Sequence, residues 1–482
     1  MMDFMPAPFR AAAATAATHP RPARVAILLV IPIVGAVFAS PLPAFAAGMT
    51  LQAAVERAVT TNPRILEAAA NRRAVDHELG EAYGLYLPTL DIEAGIGPQF
   101  VDNPNSLSTA NNRDWRLNRD VSLVARQTLF DGFSRANEVY RQAARIDSAA
   151  ARVIERSELV ALEAVETFLD VLRHRRILAA ADGNIRRHNG LLSRVRTRVE
   201  GGSSTEGELR QAEERLAATQ AVRADILKAL GTAEARFENV IGMPPGGLRG
   251  PGMPRGMPAT QAAAILTARA SHPALNAGGA DVDAAMADRD KAGAAFLPTV
   301  GLEGRATFGE DLDGTPGRNN DLSVRLTMSW NIFNGGIDRH RQLRQNEKLT
   351  ESQMRLDQLR RSVDETVRRA WSDIRTNDLR QAALMRQSRA ANAVIATYDR
   401  EFDAGLRDLL DLLDAQNSNF NVQVQLISAQ TIAVFSRYRL FAATGHLLSS
   451  FNVAPPAEGT PGPRETPWFV GSRPLIEPLR KW

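Results

Sequence analysis

The hydrophobic pattern of the chain changes period in a fixed order, and it does so twice. After Asn62-Pro63, and again after His272-Pro273, the pattern is helical for about 24 residues. It stops before Leu87-Pro88 and Leu297-Pro298, where proline cannot continue a helix. Strict alternation follows, at Leu90, Ile92, Ala94 and Ile96 in one half and Val300, Leu302, Gly304, Ala306 and Phe308 in the other. That is the period of a strand. Polar loops over 102–118 and 310–320 lead to second alternating runs: Val121, Leu123 and Ala125, then Leu322, Val324, Leu326, Met328, Trp330 and Ile332. The predicted strands are about 89–101, 119–130, 299–309 and 321–333. Beyond them, residues 133–199 and 337–403 contain no proline and keep three-four apolar spacing, for example Val139, Ala143, Ile146, Ala150 and Val153. Each predicts one helix of about 100 Å with a coiled-coil seam. Shorter helices follow over about 206–240 and 408–448. Two short helices end to end match one long helix in length, which predicts antiparallel pairing with a break between the short ones.

The two halves are therefore repeats, and landmarks fix their register. Thr61-Asn62-Pro63 returns as Ser271-His272-Pro273 and Leu87-Pro88-Thr89 as Leu297-Pro298-Thr299, both offset by 210 (271 against 61, 297 against 87). Leu129-Phe130-Asp131-Gly132 returns as Ile332-Phe333-Asn334-Gly335, Gly202 as Gly405 and Gly242 as Gly445, offset by 203 (405 against 202). The chain divides into a first repeat, 47–242, a Pro/Gly-rich linker, 243–258, a second repeat, 259–450, and a tail, 451–482, which lacks periodic pattern and is expected to be disordered.

Composition adds the compartment. Arg21 and Arg24 precede the apolar run Val25 to Ala39, which ends in Leu42-Pro43-Ala44-Phe45-Ala46-Ala47. This is the layout of a secretory signal peptide, so residues 1–46 are expected to be removed on export. The chain has no cysteine, which excludes disulfides, thiolate metal sites and a lipidated N-terminal cysteine. Its net charge is only +4, and the pI of about 9.6 reflects arginine outnumbering lysine, a weak signal for nucleic acid. The basic clusters Arg173-His174-Arg175-Arg176 and Arg186-Arg187 read as a solvated helix face.

No other stretch reaches the length of a membrane helix, so contact with a bilayer would use the strands. Strands of 10–13 residues suffice to cross an outer membrane when tilted, but four cannot close a barrel. An oligomer is required, of two, three or four copies.

Catalytic chemistry is absent. Gly202 to Gly207-Glu208 lacks the lysine and hydroxyl of a phosphate loop, and the seven histidines have no ligand spacing. No enzyme activity, metal or cofactor is expected. One stretch stands out: Gly405 to Gln416 reads GLRDLLDLLDAQ, with Asp408, Asp411 and Asp414 three apart. By spacing alone it is an acidic face beside a leucine face of one helix.

The duplicated hairpin plan, Leu-Pro before each odd strand, Phe-Asp-Gly or Phe-Asn-Gly-Gly after each even one, and GLRDLLDLLDAQ together resemble the TolC family of outer-membrane channel-tunnels over about residues 49–450. The likeness is strongest to the branch serving type I secretion, in which a Gly-x-Arg-x-Leu-Leu-Asp-Leu-Leu-Asp-Ala stretch is characteristic. It implies a mostly α protein with a transmembrane β-barrel: four strands per chain complete a twelve-stranded barrel in a homotrimer, on a periplasmic coiled-coil tunnel. The implied partners are outer-membrane lipid, a periplasmic membrane-fusion adaptor and an inner-membrane ABC transporter. Some relatives instead serve proton-driven drug pumps of the RND type.

The resemblance also assigns residues. Gly202 and Gly405 would be the periplasmic tip turns, and Asp411 and Asp414 would form rings around the pore. Arg407 matches the gating arginine, and Glu208 stands at its acidic partner's position. Two supporting groups differ, with Gly207 in place of a threonine and Phe402 in place of a tyrosine. A drug-efflux component, or a secreted coiled-coil structural protein without a pore, are the alternative readings.

Overall fold

The computed structural model describes residues 48–100, 115–312 and 317–460. The first half runs α1 (Leu51–Thr61), α2 (Pro63–Gly84), β1 (Thr89–Phe100), β2 (Trp115–Phe130), α3 (Ser134–Glu200) and α4 (Glu206–Ile241). The second runs α5 (Gln261–Ser271), α6 (Pro273–Gly293), β3 (Thr299–Glu310), β4 (Arg318–Ser329), α7 (Ile337–Asp403), α8 (Leu409–Ala443) and the short α9 (Leu447–Ser450). Helices α3 and α7 are each 67 residues long.

The repeat holds at the level of single atoms. Asn62 ends α1 by donating its backbone N–H to Ala58 O at 3.0 Å, and its side chain then caps α2 by accepting from Arg64 N. His272 does the same work between α5 and α6, donating to Ala268 O at 2.9 Å and accepting from Ala274 N through Nδ1. Proline as the next residue costs nothing in either case, because a helix's first amides have no intrahelical acceptor.

The sheet is antiparallel with strand order β1-β2-β3-β4. Its register places Ile92 opposite Leu123, Leu123 opposite Ala306 and Ala306 opposite Leu322, so one apolar face crosses all four strands. Leu90, Ile92, Ile96, Leu322, Val324, Leu326 and Met328 on that face are all more than 60% exposed. The opposite face carries cross-strand ion pairs, Arg126 with Asp91 and Glu303, and Arg305 with Glu93.

Strand ends differ from the sequence expectation. β2 starts at Trp115, four residues before 119, because Trp115 pairs with Phe100 and their rings lie 5.7 Å apart. β4 starts at Arg318, just after Gly317, which accepts from Asp311 N through its carbonyl and donates its own N–H to Asp311 Oδ1, and ends at Ser329. Its last partner is Thr299, and Pro298 before it has no amide to extend the ladder. Trp330 and Ile332 therefore lie beyond the strand, and the Trp330 indole donates to Phe296 O.

Helix α3 packs against α4, α2, α6 and α8, whereas α7 packs mainly against α8 and α6 and leaves much of its length exposed. The largest core surrounds the middle of α3, where Val55, Ile65, Phe168, Phe237, Ile241 and Leu447 are essentially excluded from water. The 243–258 segment is tied in by a bridge between Met49 and Leu248 and by Arg175, which donates to Pro245 O and Gly246 O.

The start of the tail is packed, contrary to the expectation of disorder. Phe451 stacks on Tyr438 at 5.1 Å, Val453 is buried, and Glu458 pairs with Arg73. Apolar residues at 451 and 453 reach the main core, and periodicity gives no sign of so short a segment. Residues 461–482 and 1–46 lie outside the described residues.

Candidate gate at the coiled-coil tip

Both long helices end in the same turn. Gly202 and Gly405 take φ of 73° and 77°, which only glycine adopts without strain. Ser203 N donates to Arg198 O and Leu406 N to Glu401 O, the closing bond that lets a helix reverse. Helix α4 then begins with a capping box. Thr205 Oγ1 accepts from Glu208 N, and Glu208 accepts the Thr205 N–H at 2.8 Å. That backbone bond, first among several contacts, holds the Glu208 carboxyl below its ordinary range.

The leucine pairs and aspartates of α8 separate as their spacing predicts. Leu409, Leu412 and Leu413 are at most 2% exposed, in a cluster with Leu191 and Val195 of α3, Ala212 of α4 and Phe402 of α7. This cluster joins the α3/α4 hairpin to the α7/α8 hairpin. Asp408, Asp411 and Asp414 remain at the surface. One turn above the leucines, Asn184, His188, Gln416 and Asn419 are buried, and desolvation, then Arg187 and Arg215, pushes the His188 imidazole below its usual value.

Arg407 and Glu208 are not brought together within the chain. Arg407 donates to Glu401 and, at 3.0 Å, to Asp411, and its guanidinium lies 4.2 Å from the centroid of the Tyr398 ring. Asp414 is 3.4 Å from Arg215 of α4.

Besides Arg215, Arg194 and Arg198 of α3 tie the two hairpins together, and the motif comparison missed both. Arg194 donates to Asp399 at 2.6 Å and to Asp403 at 3.1 Å. Arg198 donates to Asp403 O at 2.9 Å and lies over the Phe402 ring at 4.5 Å. Phe402, lacking a hydroxyl, thus still serves as a cation–π face. The available signal was two arginines four apart just before Gly202 and two aspartates four apart just before Gly405.

Among the described residues, no group of acidic and histidine side chains could hold a metal, and no helix is long and apolar enough to cross a membrane.

The family model described as outer membrane efflux protein matches residues 54–243 and 264–446. Outer membrane efflux protein BepC of Brucella suis biovar 1 (strain 1330) is 28% identical over 403 residues, which cover 83% of this chain and 86% of that protein. Protein CyaE of Bordetella pertussis (strain Tohama I) is 26% identical over 420 residues, 85% of this chain and 87% of that one. A crystal structure of CusC superposes with a TM-score of 0.72 at 15% identity, over 82% of this chain and 91% of that one, and shows the same fold. Members of the matching family are outer-membrane channels, not enzymes. They act as trimers with adaptor proteins and inner-membrane transporters.

Proposed function

Because the chain belongs to the outer membrane efflux protein family, we propose that three copies form a passive exit duct, with twelve strands closing one barrel and the long helices forming a periplasmic tunnel. The observation that carries this reading is the sheet, whose β1 and β4 edges have no strand partner among the described residues and whose apolar face crosses every strand. Open edges are not stable in lipid, and four strands fall short of the roughly eight a barrel needs, so other copies must supply the rest. The exposed Leu343, Met354, Leu379, Met385 and Val394 of α7 offer a face for a neighbouring copy.

In this assembly Asp411 and Asp414 ring the tip, where converging carboxylates favour cations. The leucine cluster and the Arg194 and Arg198 ties hold the two hairpins of each chain together. Arg407 and Glu208, apart within one chain, lie beside the tip turns, and Arg407 pairs with Glu208 of the partner subunit when the duct is shut. The gate opens when an adaptor stabilises separated hairpins.

The duct serves type I secretion, together with an inner-membrane ABC transporter and a periplasmic membrane-fusion adaptor. The Gly405 to Ala415 stretch, characteristic of that branch, supports this choice. The second reading is drug efflux with an RND pump, and the likeness to BepC, an outer membrane efflux protein, favours efflux. A deletion strain distinguishes them. Loss of one or more exported proteins from the medium, with unchanged drug susceptibility, supports secretion. Intact export with raised susceptibility overturns it in favour of efflux.

A further inference from the structure

We infer that Arg215 is the counter-ion that sets the ion selectivity of the tip, and that separation of the hairpins removes it from Asp414. The inference rests on the reading of Asp411 and Asp414 as pore rings.

Each ring carboxylate has an arginine beside it, but the two arginines are placed differently. Arg407 reaches Asp411 at 3.0 Å from one turn earlier on the same hairpin. Arg215 reaches Asp414 at 3.4 Å from α4, on the other hairpin. Arg215 also lies 3.7 Å from Glu214, and Arg407 is shared with Glu401, so neither arginine is bound to its ring aspartate alone. The side chains of Arg215 and Asp414 are 39% and 61% exposed, which leaves the pair weak enough to part.

Bare carboxylate rings present a field of one sign, whereas carboxylates paired with guanidinium groups present dipoles, whose potential falls off faster with distance. The joined hairpins therefore form a tip of reduced negative potential. When α7 and α8 move away from α3 and α4, Arg407 travels with Asp411 while Arg215 stays behind. One ring keeps its counter-ion and the other loses it. Cation preference then rises as the gate opens, without any change in the residues lining it.

The test uses purified full-length trimers in planar bilayers under a KCl gradient, with hexaamminecobalt(III) added on the tip side. Arg215→Gln is expected to lower the half-blocking concentration by roughly tenfold and to shift the reversal potential toward the cation limit. Arg215→Lys is expected to behave as the wild type, and Arg215→Gln combined with Asp414→Asn to behave as Asp414→Asn alone. If Asp414→Asn weakens block while Arg215→Gln behaves as the wild type, Arg215 is not the counter-ion and the inference is overturned. If Asp411→Asn and Asp414→Asn both leave block and reversal potential unchanged, the ring reading itself fails, and the inference with it.

Discussion

Arg194 near the end of α3 donates to Asp399 of α7 across 2.6 Å, and one turn further it reaches Asp403 at 3.1 Å. These bonds join the two hairpins of one chain next to the buried Leu412 and Leu413. All three side chains are partly exposed, so the tie is worth on the order of 1 kcal/mol or less. A gate that partners must release needs a weak tie of this kind. Arg194→Ala is expected to raise the open fraction of single channels by up to about fivefold, with trimer stability nearly unchanged. Unchanged gating would remove Arg194 from the latch.

Glu158 gives a pH dependence of a different origin. Its buried carboxylate accepts the N–H groups of Leu447 and Leu448, fastening α9 onto α3. Burial pushes this carboxyl up from 4.5 to about 7, and the two backbone bonds only partly oppose it. Between those values the folded chain holds a proton that the unfolded chain has released, so stability falls as pH rises through the window. Relative to Glu158→Gln, the wild type should gain melting temperature as pH falls from about 7 towards about 4.5. A pH-independent difference between the two would contradict this.

Two glycine substitutions should act in opposite directions. Gly445 has a φ of 73°, and a Cβ there would lie 2.7 Å from Pro273 Cδ, at the joint between α6 and α8. Gly445→Ala is expected to destabilise by about 1–3 kcal/mol. Gly80, inside α2, has open space where a Cβ would go, and Gly80→Ala is expected to stabilise by up to about 1 kcal/mol. Thermal unfolding of both variants checks the pair, and shifts of the same sign would count against it.

On the sheet, Leu326 belongs to the exposed apolar face and Ser323 to the charged one. Leu326→Arg is expected to cost about 2–4 kcal/mol of insertion free energy if that face meets lipid, and Ser323→Arg far less. Folding into liposomes under a urea gradient measures both. Equal costs would mean that the apolar face is not the lipid face.

Periodicity made the helices and the strand faces legible before any contact was known. Leu90, Ile92 and Leu123 alternate, and the span from Ser134 to Glu200 has no breaker strong enough to interrupt it. Gly202 and Gly405 were legible because a positive φ selects glycine. Pairings between distant segments were not. Arg194 and Asp399 are on different helices, and neither belongs to the quoted motif. The end of β4 depends on where β3 can still offer a partner, and the packing of Phe451 depends on Tyr438, so neither is written into local pattern. The gate was the least legible part, because the arginine singled out by motif, Arg407, spends its bonds on Glu401 and Asp411 within its own hairpin.

The central claim is that several copies of this chain close a pore in a membrane. Single-channel recording in planar bilayers, on material whose trimeric mass has been established by cross-linking, tests it most directly. The account predicts discrete, long-lived conductance steps whose open fraction rises on Arg194→Ala. Protein that stays in the soluble periplasmic fraction and inserts no pores would contradict it.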